Sequence, residues 1–160
     1  MKKEEFIMRK KFLIGIALIL VIIVGVVIFN RYRNKENYDG DIASFEYSFG
    51  GYPDEYWDYK IYTENSKTYL LGKGLNGADL NINKEVDNSV LSDISNIIEK
   101  NKIYEWNGFY KKSNILDGYT FSLRIKYSDG KEVQAYGHEK YPTNYEEIHE
   151  ILLNYLKSIK

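Results

Sequence analysis

The apolar and polar positions of this chain follow two regimes. Residues 12–29 form eighteen consecutive positions without a charge or strong polar group, fifteen of them Leu, Ile, Val or Phe, between Arg9-Lys10-Lys11 and Asn30-Arg31. At about 1.5 Å per residue a helix of that length nearly crosses a hydrocarbon core about 30 Å thick, so the run predicts a transmembrane helix. After residue 41 the period drops to two. Ala43 to Phe49 alternates apolar and polar residues as a strand with one buried face does, Gly50-Gly51-Tyr52-Pro53-Asp54 turns the chain, and Trp57, Tyr59 and Ile61 alternate with Asp58 and Lys60 in a second strand. Thr68 to Leu71 predicts a third strand, and Ala78, Leu80 and Ile82 a short fourth.

At Asp87, a predicted N-cap, the period becomes helical: Val90, Leu91, Ile94, Ile97 and Ile98 make one stripe that ends at Asn101. Tyr119, Phe121, Leu123, Ile125 and Tyr127 then alternate with polar residues in the clearest strand of the chain. Asp129-Gly130 signals a hairpin, and a three-residue loop, Ser128-Asp129-Gly130, keeps Ile125 opposite Val133 and Leu123 opposite Ala135, with glycine at the left-handed bulge position. Tyr141-Pro142 and a capping box, Thr143-x-x-Glu146, open the last helix, whose stripe is Ile148, Ile151, Leu152, Tyr155, Leu156 and Ile159. The predicted class is α+β: an N-terminal transmembrane helix, then an antiparallel sheet in the order three strands, an optional fourth, helix, two strands, helix, with both helices packed on one face. The predicted divisions are a basic tail at 1–11, the span at 12–29, a polar tether at 30–41 and a domain at 42–160.

A cleaved signal peptide is the rival reading of the N-terminus. The run exceeds the usual apolar length of about 7–15 residues and ends in Val27-Ile28-Phe29-Asn30-Arg31 without a small-x-small site, which favours an uncleaved anchor. Five Lys or Arg precede the span and three follow it closely, which places the N-terminus in the cytoplasm and the C-terminal domain outside. The chain has no cysteine, so disulfides and lipid attachment at a Cys are ruled out.

Charge separates the two parts. The whole chain carries −1, whereas residues 37–160 hold fourteen Lys and Arg against twenty Asp and Glu, a net of −6. That balance argues against nucleic acid, which needs a clustered positive surface. Gly72-Lys73-Gly74-Leu75-Asn76-Gly77 matches a dinucleotide-binding pattern, but the following residues alternate like a strand and supply no helix N-terminus for a pyrophosphate. Asp79-x-Asn81-x-Asn83 imitates the start of a calcium loop, yet Lys84 stands where its glycine belongs and Val90 where its bidentate Glu belongs. His138 and His149 are the only histidines and are predicted to be solvated; neither a metal nor a cofactor is expected. Asp54, Glu55, Asp117 and Asp129 occupy loop positions where a hydrolase finds dispersed carboxylates, but turn and cap chemistry accounts for each, and no enzyme is expected.

Sixteen tyrosines and two tryptophans remain. Tyrosine fits half-buried strands well, and exposed aromatics stack on sugars or anchor protein interfaces. Tyr52, Tyr56, Tyr110 and His138 are the candidate binding residues. Gly50-Gly51-Tyr52-Pro53, Tyr104-Glu105-Trp106-Asn107-Gly108-Phe109, Leu116 to Phe121, Tyr127-Ser128-Asp129-Gly130 and Tyr136 to Pro142, taken in order, resemble small uncharacterised domains of membrane-anchored proteins and lipoproteins from low-GC Gram-positive bacteria. The resemblance implies an extracytoplasmic domain and no known activity. The expected function is a membrane-anchored, extracytoplasmic binding or interaction domain whose partner is another envelope protein or a cell-wall glycan. An envelope hydrolase and a glycan-binding module are the alternatives.

Overall fold

The computed structural model describes Tyr38, residues 40–51 and residues 55–159, together with Gly15, Val21, Ile22, Val24 and Gly25. The chain divides into two units, Met1–Asn37 and Tyr38–Lys160. In the first, the five described residues are helical, and Val21, Ile22 and Val24 are exposed. Among the described residues no helix is long and apolar enough to cross a membrane; most of the predicted span at 12–29, all of the tail and tether residues 30–37 lie outside them.

The second unit is α+β. Its elements are β1 (Ile42–Gly51), β2 (Tyr56–Glu64), β3 (Lys67–Leu75), β4 (Asn81–Val86), α1 (Ser89–Lys100), a 3-10 turn (Ile103–Trp106), β5 (Phe109–Lys112), β6 (Tyr119–Tyr127), β7 (Glu132–His138) and α2 (Tyr145–Ser158). The strands form one sheet in the order β4-β3-β2-β1-β6-β7-β5. β1 to β4 make the predicted antiparallel meander, and β6 joins β1 on its other side. The sheet is mixed rather than wholly antiparallel, because β5 pairs parallel with β7, Tyr110 against Tyr136. Both strands are entered from the same end of the sheet: β5 runs up beside β7, residues 113–118 cross the top, and β6 comes down between β7 and β1.

The β6–β7 hairpin follows the predicted register, with Ile125 opposite Val133 and Leu123 opposite Ala135. Tyr127 and Lys131 close the loop with an amide-to-carbonyl bond of 2.9 Å, and Gly130 takes φ +88°, the left-handed conformation that the bulge requires. β4 begins three residues later than predicted. Asn76 and Gly77 turn with φ of 59° and 95°, and the Gly74 amide bonds to the Leu80 carbonyl at 2.7 Å, so Ala78 and Leu80 precede the ladder. Gly72 and Gly74 lie within β3, where a Cβ on Gly74 would run into the Ala78 carbonyl; close backbone approach accounts for the glycine there, and a strand follows rather than a helix. Asn81 and Asn83 sit exposed on β4, and Asp79 is exposed just before it.

α1 buries Val90, Leu91, Ile94 and Ile98 and leaves Ile97 half-buried. Its cap is Asn88, one residue after the predicted one, although Asp87 still accepts the Ser89 amide at 2.7 Å. Asn88 also accepts a hydrogen bond from Thr68, the buried hydroxyl of β3, at 2.9 Å, which ties the helix start to the sheet. At α2 the predicted capping box does not form. Asn144 precedes the helix in a left-handed conformation, φ 60°, with no side-chain cap, and this carries Thr143 away from the helix N-terminus. Asparagine tolerates that conformation better than most residues.

Phe45, Tyr47 and Phe49 of β1, Ile61 of β2, Leu70 of β3 and Phe121, Leu123 and Ile125 of β6 form one buried sheet face, and both helices lie on it. α2 starts over Phe121 and Trp106, passes over Tyr47 and Phe49, and ends near β4, where Lys84 donates to the Ile159 carbonyl at 3.1 Å. In its last turn, the Tyr155 hydroxyl donates to Asp93 of α1 at 3.0 Å. The opposite face carries Glu46, Asp58, Lys60, Arg124 and Glu132, with ion pairs Lys60–Glu46 at 2.9 Å and Arg124–Glu132 at 3.0 Å. Pairs this exposed contribute at most about 1 kcal/mol each.

Candidate functional site

Because α2 crosses the strands steeply, one flank of it overhangs the end of the sheet where β1 finishes and β2 and β6 begin. A groove of about 350 Å³ lies there, lined by Phe49, Gly50, Trp57, Tyr119, Thr120, Tyr141, Tyr145, His149, Leu153 and Lys157. Tyr145, His149, Leu153 and Lys157 recur every four residues along α2, one position from the core stripe Ile148, Leu152 and Leu156. That offset of about 100° places them at the boundary between core and solvent.

The rings have an order. Tyr141, Tyr145 and His149 stack in a ladder, with centroids 4.6 and 5.6 Å apart and planes inclined by 21° and 16°. Phe49 meets His149 edge to face, at 78°, and stacks on Trp57 at 5.3 Å. The ladder shares its faces internally and turns ring edges outward, whereas Phe49 covers one face of Trp57.

Three polar groups join beneath the ladder. The Tyr47 hydroxyl, on a fully buried residue, donates to the Tyr145 oxygen at 3.3 Å and lies 2.7 Å from His149 Nδ1. The 2.7 Å contact joins the phenol to Nδ1, and the imidazole tautomer decides which of the two donates. Among the described residues no buried side-chain nitrogen or oxygen lacks a partner, so Nε2, which bonds to none of them, is reached by solvent at the groove.

Burial governs the ionisation of the cluster. Desolvation holds the His149 imidazole below its ordinary value, Glu150 opposes this and Lys157 reinforces it. Desolvation also pushes Tyr145 up to about 12 and Tyr47 well above the usual phenol range. The site is therefore neutral at physiological pH apart from Lys157 at its rim. An imidazole that resists protonation in the folded state contributes stability above its unfolded value of about 6.5, and that stability is lost as pH falls through this value toward the folded one. Unfolding measured from pH 7.5 to pH 5 is expected to show a loss that His149→Gln largely removes.

The expectation that both histidines are solvated therefore fails for His149, which packs among Tyr47, Phe49 and Tyr145. His138 lies on β7 opposite Thr120 and Lys112. By strand register it shares the polar sheet face with Tyr56, which pairs with Gly50 and Leu75, and with Tyr110, which is 67% exposed and stacks on Tyr136 at 5.2 Å. Three of the four candidate residues thus share a face, the one opposite the groove, and Tyr52 lies outside the described residues.

The loop carboxylates divide between the two ends of the sheet, with Glu55 and Asp117 both at the end where β1 finishes. Asp117 and Asp129 flank opposite ends of the nine-residue β6, on the order of 30 Å apart at the usual strand rise, and Asp54 lies outside the described residues. Asp129 is engaged in its own turn, accepting the Lys131 amide at 3.0 Å. Glu46 and Asp58 are also neighbours, diagonal across β1 and β2 on the polar face, and burial first and Glu46 second raise Asp58 above the ordinary range. Among the described residues no cluster of three His, Cys, Asp or Glu side chains is placed to hold a metal.

The sequence pattern places Trp57 on a strand but does not bring Tyr141, Tyr145, His149 and Lys157 together as a set. The available signal was the second four-residue stripe of α2. Comparison with protein-family models, curated proteins and solved structures finds no match to this chain.

Proposed function

We propose that the chain is a single-pass membrane protein, N-terminus in the cytoplasm, that displays its α+β domain outside the cell as a binding module, with the α2 groove as the ligand site. The observation that carries the binding assignment is the groove itself: an aromatic concavity with a few convergent polar groups and a histidine displaced from its ordinary ionisation, as small-ligand sites characteristically are. Its surroundings support the reading. Leu116 is 97% exposed and Ile115 57%, in the segment that leads into Tyr119 of the groove, and Tyr119 and Tyr141 are 48% and 39% exposed. Large apolar side chains concentrated at one end of a domain mark an interaction surface. The membrane assignment rests on the uncharged run at 12–29 and the excess of Lys and Arg before it. The likeness to extracytoplasmic domains points the same way.

Topology and binding are tested separately. Protease added to cells stripped of their outer layers is expected to remove the domain while sparing a cytoplasmic marker; resistance under conditions that degrade a known external domain sinks the orientation. Photocrosslinkers at positions 57 and 141 in intact cells are expected to capture an envelope component. Capture that is no greater than from exposed position 99, away from the groove, defeats the binding assignment.

A further inference from the structure

The groove presents three kinds of contact in fixed relation, and together they select a ligand chemistry. Trp57 is stacked by Phe49 on one face only, and no other ring among the described residues covers the second. That leaves a half-buried indole face as a platform. Beside it stands the ladder of Tyr141, Tyr145 and His149, inclined to Phe49 by 78° at His149, so the platform is met by ring edges that carry polar tips. At the end of the ladder His149 turns Nε2 to the groove, because Nδ1 is committed to Tyr47. Two turns further along α2, Lys157 supplies a cation at the rim.

An apolar peptide side chain would satisfy the platform but not the polar ring nitrogen beside it. A cationic ligand, which aromatic boxes often hold, is disfavoured by Lys157. A pyranose meets all three requirements: its C–H face stacks on an aromatic face, its equatorial hydroxyls project in the ring plane toward the edge groups, and an acidic substituent answers the lysine. We propose that the α2 groove binds a carbohydrate ring bearing a carboxylate, with the sugar face on Trp57, a sugar hydroxyl donating to His149 Nε2 and the carboxylate paired with Lys157. The Tyr47–Tyr145 pair positions the imidazole and does not touch the sugar. This assignment rests on the reading of the groove as the binding site.

The test uses the full chain in phosphocholine nanodiscs, which avoids detergents with sugar headgroups. The probes are glucuronic, galacturonic and N-acetylmuramic acids, each beside its methyl ester, which keeps the ring and removes the charge. Nitrogen-15 correlation spectra of the histidine rings are expected to show Nδ1 protonated and Nε2 bare in the free protein. At least one free acid is expected to shift His149 Nε2 and the Trp57 indole saturably and to bind roughly fivefold more tightly than its ester, the upper range for an exposed ion pair. Lys157→Gln should abolish that difference, and Trp57→Ala should weaken both forms roughly tenfold. Equal binding of acid and ester, or a free protein with its proton on Nε2, overturns the assignment. If no sugar binds but a photocrosslinker at position 57 traps a protein in cells, the carbohydrate is wrong and the groove stands; if neither occurs, both readings fall.

Discussion

Phe121→Ala is expected to cost about 3–5 kcal/mol of domain stability, the usual range for emptying a fully buried aromatic site, or roughly 10–20 °C in melting temperature for a domain of this size. Phe121 has no exposed surface and lies at the crossing of sheet, 3-10 turn and α2, with ring contacts to Phe109, Trp106, Tyr141 and Tyr145. No single neighbour is placed to fill the void, because each is fixed by a different element. Near-UV circular dichroism of the chain in bilayers follows the loss, since the aromatic domain dominates that signal. Leu116→Ser provides the contrast, because a leucine that is 97% exposed has almost nothing to lose, and its change should stay within about 0.5 kcal/mol.

Gly137→Ala should be nearly as damaging, at about 2–3 kcal/mol, although it adds only one methyl group. A Cβ at Gly137 would meet the Lys140 carbonyl and, at 2.6 Å, the edge of Phe121. Residues 139–140 fold back over β7 at this point, and Glu139 takes φ 51° to do so. Relief requires the backbone after β7 to lift, which moves Tyr141 away from the ladder. The variant is therefore expected to lose groove binding as well as stability, whereas Gly40→Ala, whose Cβ would find ordinary contacts at 3.5 Å, should be neutral in both. Unchanged binding in a folded Gly137→Ala protein would show that the crossing does not position the groove.

What could be read from the sequence was local. The hairpin at Asp129-Gly130 and its register follow from a turn signal between two alternating strands, and the α1 stripe from a single period over twelve residues. β5 escaped because Phe109-Tyr110-Lys111-Lys112 is too short to show a period, and with it went the parallel pairing. The groove escaped for a different reason. Its walls come from residues 49, 57, 119, 141 and 149, and they meet only because α2 crosses the strands. A histidine one position off an apolar stripe looks the same in sequence whether water or a phenylalanine faces it; the path of α2 decides that, and no local pattern records the path. Tyr56, Tyr110 and His138 stand out in the sequence by aromatic or titratable character alone, and strand register places them on the polar face.

The two tryptophans divide between these environments. Trp106 is 4% exposed against Phe121 and Tyr145, while Trp57 lines the groove. Excited at the red edge, where the sixteen tyrosines are silent, the chain has one emitter sealed in the core and one at the groove. Occupancy of the groove should then register as a change in Trp57 emission over a constant background from Trp106, and Trp57→Phe gives the blank, so the domain carries its own optical sensor of whatever it holds.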